Sequence, residues 1–396
     1  MRVLFFSPRP CYPADTGAKL REYHLLRQLS RCMQVDLLAF ETAGPFELPF
    51  CGLVKTVLRP KRYTPGKLLK GLVSPLPVSV WNYYSPEMVA ALKEVLSGSK
   101  YDVIVLESIH MAGYRKELAE WGNGALLVYD WHNIESELME RFVAQKGPLL
   151  KRIYALETAR RLRRLEKKIG SSGAMHIVCS GREKKKIEGW IGPGELEVVA
   201  NGMDVEGITA ATGLTAERNR ILFVGSMDYH PNVAGATFFA RRIWPEIWRQ
   251  KPELTFTIVG SRPTAAVLEL GKLGGVEVTG TVESVAPFYR EAALVVVPLF
   301  EGGGTRLKVV EAMAAGVPVV STELGAEGIS ARDGEDLILL GPEGDWAGAV
   351  TGLLEDEARW LRIGGNGRRL AETSYDWKLI GEKFSQVLSK WVGRSE

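Results

Sequence analysis

Ten short runs of Val, Ile, Leu and Phe, separated by stretches with helical spacing, constrain this chain more than any other feature. In the first half they are MRVLFFSP at the N-terminus, QVDLLAF (34–40), YDVIVLES (101–108), ALLVYD (125–130) and MHIVCS (175–180). In the second half they are RILFVG (220–225), LTFTIVG (254–260), VEVTG (276–280), ALVVVP (293–298) and VPVVST (317–322). Strands that are apolar on both faces belong in parallel sheets covered by helices on either side. The pattern restarts after GPGELEVVANGMDVE (192–206), which is rich in turn residues, so two doubly wound α/β domains with right-handed crossovers are expected. The expected bounds are 1–195 and 196–372, followed by an amphipathic helix over 373–396. Its apolar positions 379, 380, 384, 387, 388 and 391 suit packing back on the first domain. Open sheets of this kind bind ligands beyond the carboxyl ends of their strands, so two facing domains would share one cleft.

Composition sets outer limits. With 396 residues, 46% hydrophobic and 24% charged, the chain can bury two full cores. No apolar run approaches the roughly 18 residues that span a bilayer. The N-terminal MRVLFFSPRP is too short and lacks a small-residue cleavage site for a secretory signal. Cys11, Cys32, Cys51 and Cys179 are irregularly spaced, which suits reduced thiols in a cytoplasmic protein rather than a zinc site or disulfide framework. Residues 1–195 hold 30 Lys and Arg against 20 Asp and Glu, and residues 196–396 hold 20 against 27. A balance of +10 beside one of −7, together the net +3, implies different partners for the two halves, with nucleic acid not among them.

The stretch FEGGGTRLKVVEAMAAGVPVVST (300–322) carries the chemistry. The strand before it ends at Pro298, so Glu301 and the glycines fall where a ligand would sit. Glycines let backbone N–H groups approach an anion, and a helix capped by Thr305 would aim its positive end there. At 100° per residue Lys308, Glu311, Ala312 and Ala315 share one face, and Val309, Val310 and Met313 share the face that docks on the sheet. Lys308 and Glu311 would then look into the cleft beside alanines; the alternative is an i,i+3 surface pair. A carboxylate suits the vicinal diol of a ribose, Glu301 suits another polyol, and the cations and amides between them suit a diphosphate. In line, these groups describe a nucleotide sugar.

With these residues the chain resembles the retaining GT-B glycosyltransferases, the large group that includes bacterial mannosyl-, glucosyl- and sucrose-type transferases. It looks most like the branch that assembles exopolysaccharides and cell-surface glycans. The resemblance covers essentially the whole chain, from VLFFSPRPCYPADTGAKLREYHLLRQLS through VVANGMDVE and ILFVGSMDYHPNVAGATFFARRIWPEI to the closing SYDW. It implies two Rossmann-like domains facing a cleft, with Glu301 on the sugar hydroxyls, Gly303 and Gly304 offering amides, and Glu311 on the ribose. It places Val282 beside the nucleobase, Gly17 over the donor phosphate and His132 near the transferred sugar. His110 falls on the acceptor side. Lys19 and Arg21 are either contacts to a phosphate or acidic acceptor, or solvated first-turn residues of their helix. His24 and His176 suit packing.

Two departures from the family pattern coincide. The family's two glutamates have seven residues between them, whereas Glu301 and Glu311 have nine. The family's diphosphate-binding Arg and Lys, after the first strand of the second domain, are replaced here by Ser226 and Pro231. Arg306 and Lys308, in the lengthened loop, are therefore expected to supply the missing charge. Asp228, Tyr229 and His230 either line the site or form a loop whose Pro231 opens the next helix.

No carboxylate is placed as a nucleophile and no Asp-x-Asp pair is evident. The resemblance accordingly implies a front-face reaction that retains configuration, with no metal and no cofactor beyond the nucleoside-diphosphate sugar. The acceptor would be a glycan, a lipid-linked sugar or a small molecule. The basic run 141–170 reads equally as an exposed helix or as contact with anionic lipid at the inner face of the cytoplasmic membrane, and 61–84 mixes lysines with aromatics nearby. Two alternatives remain: a non-catalytic GT-B glycan- or nucleotide-binding protein, and a GT-B sugar-nucleotide epimerase. A nicotinamide oxidoreductase would need Gly-x-Gly-x-x-Gly after the first strand, where SPRPCYPADTG has none.

Overall fold

The computed structural model describes residues 1–14, 16–41, 46–61, 63–74, 76–144, 149–208, 213, 218–302 and 306–395. They form two compact units, Met1–Ala200 with Ile380–Glu396, and Asn201–Leu379.

The first unit holds β1 (Arg2–Ser7), β2 (Gln34–Glu41), β3 (Leu53–Leu58), β4 (Val103–Glu107), β5 (Leu126–Trp131), β6 (Met175–Val178) and β7 (Leu196–Val198). They lie in the order β3-β2-β1-β4-β5-β6-β7, and every pair is parallel. The order reverses between β1 and β4, the switch point at which doubly wound sheets open a crevice. The second unit holds β8 (Arg220–Val224), β9 (Thr255–Val259), β10 (Val276–Gly280), β11 (Ala292–Val297), β12 (Val319–Ser321) and β13 (Ile338–Leu339). Their order is β10-β9-β8-β11-β12-β13, again all parallel, with the switch between β8 and β11. This is the two-sheet α/β architecture that the alternating runs predict.

All ten apolar runs are strands. The three strands without such a run, β3, β7 and β13, each lie at a sheet edge. An edge strand is covered less, so its sequence need not be apolar on both faces; Leu58 at the end of β3 is 72% exposed. Because β7 closes the first sheet, the units part after Ala200 rather than at 195.

The last helix, Trp377–Ser395, belongs to the first unit from Ile380 onward, seven residues later than 373. Of the expected apolar positions Ile380, Phe384, Leu388 and Trp391 are buried and Val387 is half-buried, while Leu379 is exposed. Gly381 lies so close to Gln28 that a Cβ there would overlap it, and Trp391 donates its indole N–H to the Gly194 carbonyl at 3.1 Å.

The helix Gly17–Leu29 differs most from expectation. Leu25, Leu26 and Leu29 are buried, but so are Arg21 and Glu22, both fully. Arg21 is neither a solvated residue nor an acceptor contact. Its guanidinium grips both oxygens of Asp130 at 2.7 and 3.0 Å and also donates to the carbonyls of Val199 and Ala200 at 2.7 and 3.1 Å. Burial alone would make Arg21 easier to deprotonate, but the adjacent Asp130 outweighs it and fixes the charge. Removing one partner of such a pair strands the other charge in the core. Arg21→Met should therefore lower stability by about 3–5 kcal/mol, and adding Asp130→Asn should restore part of the loss. Chemical denaturation of both variants checks this; a loss under about 1 kcal/mol for Arg21→Met would show that the pair is not the anchor.

Candidate active site

In the second unit the site residues gather where β8, β9 and β11 end. After β11 the chain runs through Pro298 to Glu301, whose carboxylate pairs with the ring Nδ1 of His230. Gly302 follows with φ of 97°, and a Cβ there would meet the Tyr229 hydroxyl at 2.9 Å, so a side chain is excluded on both counts. Gly303, Gly304 and Thr305 lie outside the described residues. The next helix spans Leu307–Ala314 with Arg306 at its N-cap, so it opens later than a Thr305 cap would place it.

Lys308 and Glu311 leave this helix in different directions, not as a surface pair. The Lys308 ammonium donates to Asn232 Oδ1 at 2.8 Å and lies 4.7 Å from the centre of the Phe223 ring. Asn232 in turn donates to the Ser226 carbonyl at 2.8 Å. Burial, with Arg306 adding to it, pushes Lys308 down to about 7. A Cβ on Gly225, the residue after β8, would sit 2.7 Å from Lys308 Nζ and 2.6 Å from Asn232 Nδ2, so a side chain there would displace their bond. Glu311 accepts from the Tyr289 hydroxyl at 2.8 Å, and burial raises its pKa above the ordinary carboxylate range. Ala312, expected beside an open space, is fully buried; only Ala315 reaches the cavity.

That cavity measures about 300 Å³ and is lined by Met203, Ile208, Tyr289, Arg290, Glu311 and Ala315. Ser284 and Val285 also border it, whereas Val282, half-buried two residues earlier, is not part of its wall.

The cations are arranged differently from the expected loop pair. Arg306 is buried, with Nε 3.3 Å from the Leu324 carbonyl. Ser226 is engaged, donating to Asp228 at 2.7 Å and accepting from Arg262 at 2.9 Å. Arg262, which sequence reasoning missed, comes from the loop after β9 and also holds Asp228 at 2.6 Å. Its only sequence signal is position, two residues past the Gly260 that ends a strand run. His230 begins the helix His230–Phe238 with Pro231 in its first turn, so this segment is both a helix start and, through His230, a partner of Glu301.

In the first unit the carboxyl ends of β4 and β5 meet. His132 Nε2 lies 2.6 Å from Glu107 Oε2, and Glu107 is fully buried. Glu107 was unrecognised in the sequence because it closes a strand run. Burial and the neighbouring Asp130 push its pKa up, and Glu22, bonded to the Ser7 hydroxyl at 2.9 Å, is pushed up by burial and by Glu107. Donor atoms of Glu107, Asp130 and His132 lie within 4.8 Å of one another. Glu107 and His132 hold each other and Asp130 holds Arg21, so the trio acts as an ion-pair network rather than an open ligand set. Gly17 begins its helix with open space around its Cβ position, and Lys19 is half-buried one turn in. His110 bonds the Ser108 hydroxyl at 2.8 Å through Nδ1. His176 is packing: buried in β6, it accepts from the Trp131 indole at 3.0 Å, and burial lowers it to about 4. All four cysteines are free thiols.

Two parallel Rossmann-like sheets, with the second unit's site at its strand ends, define the class. Residues 218–356 match the family described as "Glycosyl transferases group 1". The chain is 30% identical over 213 residues to the MMP alpha-(1->4)-mannosyltransferase of Mycolicibacterium hassiacum, covering 52% of this chain and 50% of that one. It thus spans about half the length of that relative. Sucrose-phosphate synthase from Thermosynechococcus elongatus shares the fold over 100% of both chains, with TM-score 0.73 and 19% identity. Anabaena HepE in complex with UDP-glucose shares it over 98% of this chain and 100% of that one, with TM-score 0.65 and 16% identity. The chain thus has the fold of these glycosyltransferase structures, and its second unit carries the match to the group 1 glycosyl transferases.

The buried Lys308 makes stability pH-dependent. In the folded chain it loses its proton near pH 7, but in the unfolded chain it keeps it until the ordinary value of 10.5. The unfolded state therefore binds more protons between these limits, and stability rises with pH across that window. Denaturation midpoints measured at pH 7, 8 and 9 should climb less steeply in Lys308→Met than in the natural chain; equal slopes would show that Lys308 is solvated.

Proposed function

We propose that the protein transfers a hexosyl unit, with retained configuration and without a metal ion, from a nucleoside-diphosphate sugar. The receiver is a hydroxyl of a glycan, lipid-linked or small-molecule acceptor, and cell-surface glycan assembly is the proposed setting. The observation that carries this reading is the 300 Å³ cavity with Glu311 in its wall, on the same helix as Lys308. A nucleoside in the cavity would put its ribose diol on Glu311 and its diphosphate toward Lys308, Arg306 and the loop glycines. Glu301, at the end of β11, would take the sugar hydroxyls, and Ser226 with Arg262 would border the phosphates. HepE, of the same fold, binds UDP-glucose, which supports a donor of this class.

In the proposed step the acceptor oxygen bonds to the anomeric carbon on the face that the diphosphate leaves. The sugar–phosphate C–O bond breaks, and a departing phosphate oxygen takes the acceptor proton. The chain's work is to orient the two and to stabilise charge on the leaving group. His132, fixed by Glu107, is the proposed first-unit contact to the sugar.

The first unit supports an acceptor carrying phosphate. A groove of about 440 Å³ runs along the helix Leu149–Gly170 and is lined by Arg115, Arg161, Arg164 and Lys168, with Glu157 as its carboxylate. Leu149, Ile153 and Leu156 of the same helix are 70%, 55% and 40% exposed. Cations beside exposed apolar groups suit a peripheral position on anionic lipid. Among the described residues no helix is long and apolar enough to cross a membrane.

A thermal-shift panel of nucleoside diphosphates and their sugars tests the donor site. One base should stabilise the chain, and no shift with any of them would remove the reading. Glu301→Ala should slow donor hydrolysis by about 10²-fold or more, and EDTA should leave the rate within about twofold. Arg306→Ala and Lys308→Ala should each weaken nucleoside diphosphate binding, and unchanged affinity in both would place the phosphate charge elsewhere. Sedimentation with vesicles should show more binding to anionic than to neutral lipid, and equal binding would remove the membrane contact.

A further inference from the structure

A second cavity in the first unit, of about 200 Å³, has a lining unlike the basic groove. Its walls carry three phenol rings, Tyr63, Tyr83 and Tyr154, with His110, Glu135 and Ser79 between them. Tyr63, Ser79, Asn82 and Tyr83 come from the segment between β3 and β4, His110 follows the carboxyl end of β4, and Glu135 and Tyr154 follow that of β5. His110 lies three residues after Glu107, and Glu135 lies three after His132, so the cavity adjoins the Glu107–His132 pair. The Tyr83 ring sits 5.0 Å from the His110 ring, which fixes both planes.

The polar groups suit a neutral, hydroxyl-rich ligand. Among the described residues Ser79 Oγ is buried without a partner, an unmet hydrogen-bonding group at the wall. Asn82 is buried beside it and uses its side-chain oxygen to accept from the Tyr63 N–H at 2.9 Å. Glu135 is the one acid in the lining, and burial followed by the Glu166 charge pushes it up to about 7, so near neutrality it can donate as well as accept. Aromatic faces take the C–H face of a pyranose, while hydroxyl, amide and carboxyl groups take its hydroxyls. An anionic group fits the four-cation groove better, and an aliphatic chain would leave Ser79 unsatisfied.

We propose that this cavity binds a single neutral sugar ring, the terminal residue of the acceptor, held between Tyr83 and Tyr154 with its hydroxyls on Ser79, Asn82 and Glu135. The word acceptor rests on the transfer reaction proposed above; the affinity for sugar does not, and it is measured without donor.

The test is saturation-transfer-difference NMR on the full chain, with the α-methyl glycosides of glucose, mannose and galactose as probes. At least one should receive saturation at its ring C–H protons from the aromatic protons. Tyr154, 46% exposed, can be truncated without opening the core, and Tyr154→Ala should weaken that affinity about five- to tenfold. Arg164→Ala, in the basic groove, should leave it unchanged. Absence of transfer to all three glycosides, or equal transfer in Tyr154→Ala, would overturn the proposal. The thermal shift with nucleoside diphosphates should be the same in Tyr154→Ala and the natural chain. A chain that binds a glycoside but no nucleoside diphosphate keeps this pocket and loses the transfer reading, and the reverse result loses only the pocket.

Discussion

The first unit is organised around a positive charge that has no contact with water. Arg21 rises from the helix after β1, closes on Asp130 at the end of β5 and reaches the carbonyls that follow β7. Three separate parts of the sheet are thereby referred to one guanidinium. A buried ion pair is expensive to desolvate and compensates only when its hydrogen bonds are complete. Here the bidentate carboxylate and two carbonyls complete them. The consequence reaches the site: Glu22, Glu107 and Asp130 share a region with one guanidinium and one imidazole, and they cannot all ionise cheaply. The upward shifts of Glu22 and Glu107 express that conflict. His132 answers it by bonding Glu107, so the ring proposed to contact the sugar is oriented by the same charge balance that holds the sheet.

The second unit solves the opposite problem, holding cations near one another before any anion arrives. Lys308 is kept by one oxygen of Asn232 and by the face of Phe223 rather than by a carboxylate. A neutral partner secures the position of an ammonium without satisfying its charge. Arg262, by contrast, is neutralised by Asp228 and is 69% exposed, so its pairing is screened and easily exchanged. One cation is thus positioned by burial next to Gly225, and the other is tethered at the surface to Ser226 and Asp228, just after β8.

How much of this could be read from sequence follows from what each feature depends on. Interior strands must be apolar on both faces, so nine of the ten runs are interior strands and only VEVTG, β10, lies at an edge; with them came both sheets. The edge strands β3, β7 and β13 carry no such demand and left no run. Glu301, Glu311 and Lys308 were legible because glycines and helical spacing bracket them. Asn232, Arg262 and Glu107 were not, since each acts through a partner 25 to 76 residues away. The role of Arg21 was misjudged for a related reason: a basic residue in a first turn is normally solvated, and only the fold brings Asp130 to it. Periodicity reports which side of a helix is covered, not whether the cover is oil or a carboxylate.

The charge asymmetry of the chain shows why local geometry must govern the donor site. The second half carries the net −7, yet it is the half expected to hold a diphosphate. At physiological ionic strength charges more than about 8–10 Å apart are largely screened, so an acidic surface elsewhere neither repels the ligand strongly nor needs balancing. What matters is the few ångströms around the ends of β8 and β11, where Arg306 and Lys308 are neighbours and Arg262 is committed to Asp228. The basic excess of the first half is likewise local, concentrated on the helix Leu149–Gly170, and it is separate in composition from the aromatic cavity built by the segments after β3, β4 and β5. Net charge therefore says little about which half binds phosphate. The pairing of each ionisable group with its own neighbour decides it: Arg262 is already balanced by Asp228, whereas Lys308 is held by an amide and the face of Phe223, so an arriving phosphate would favour its charged form.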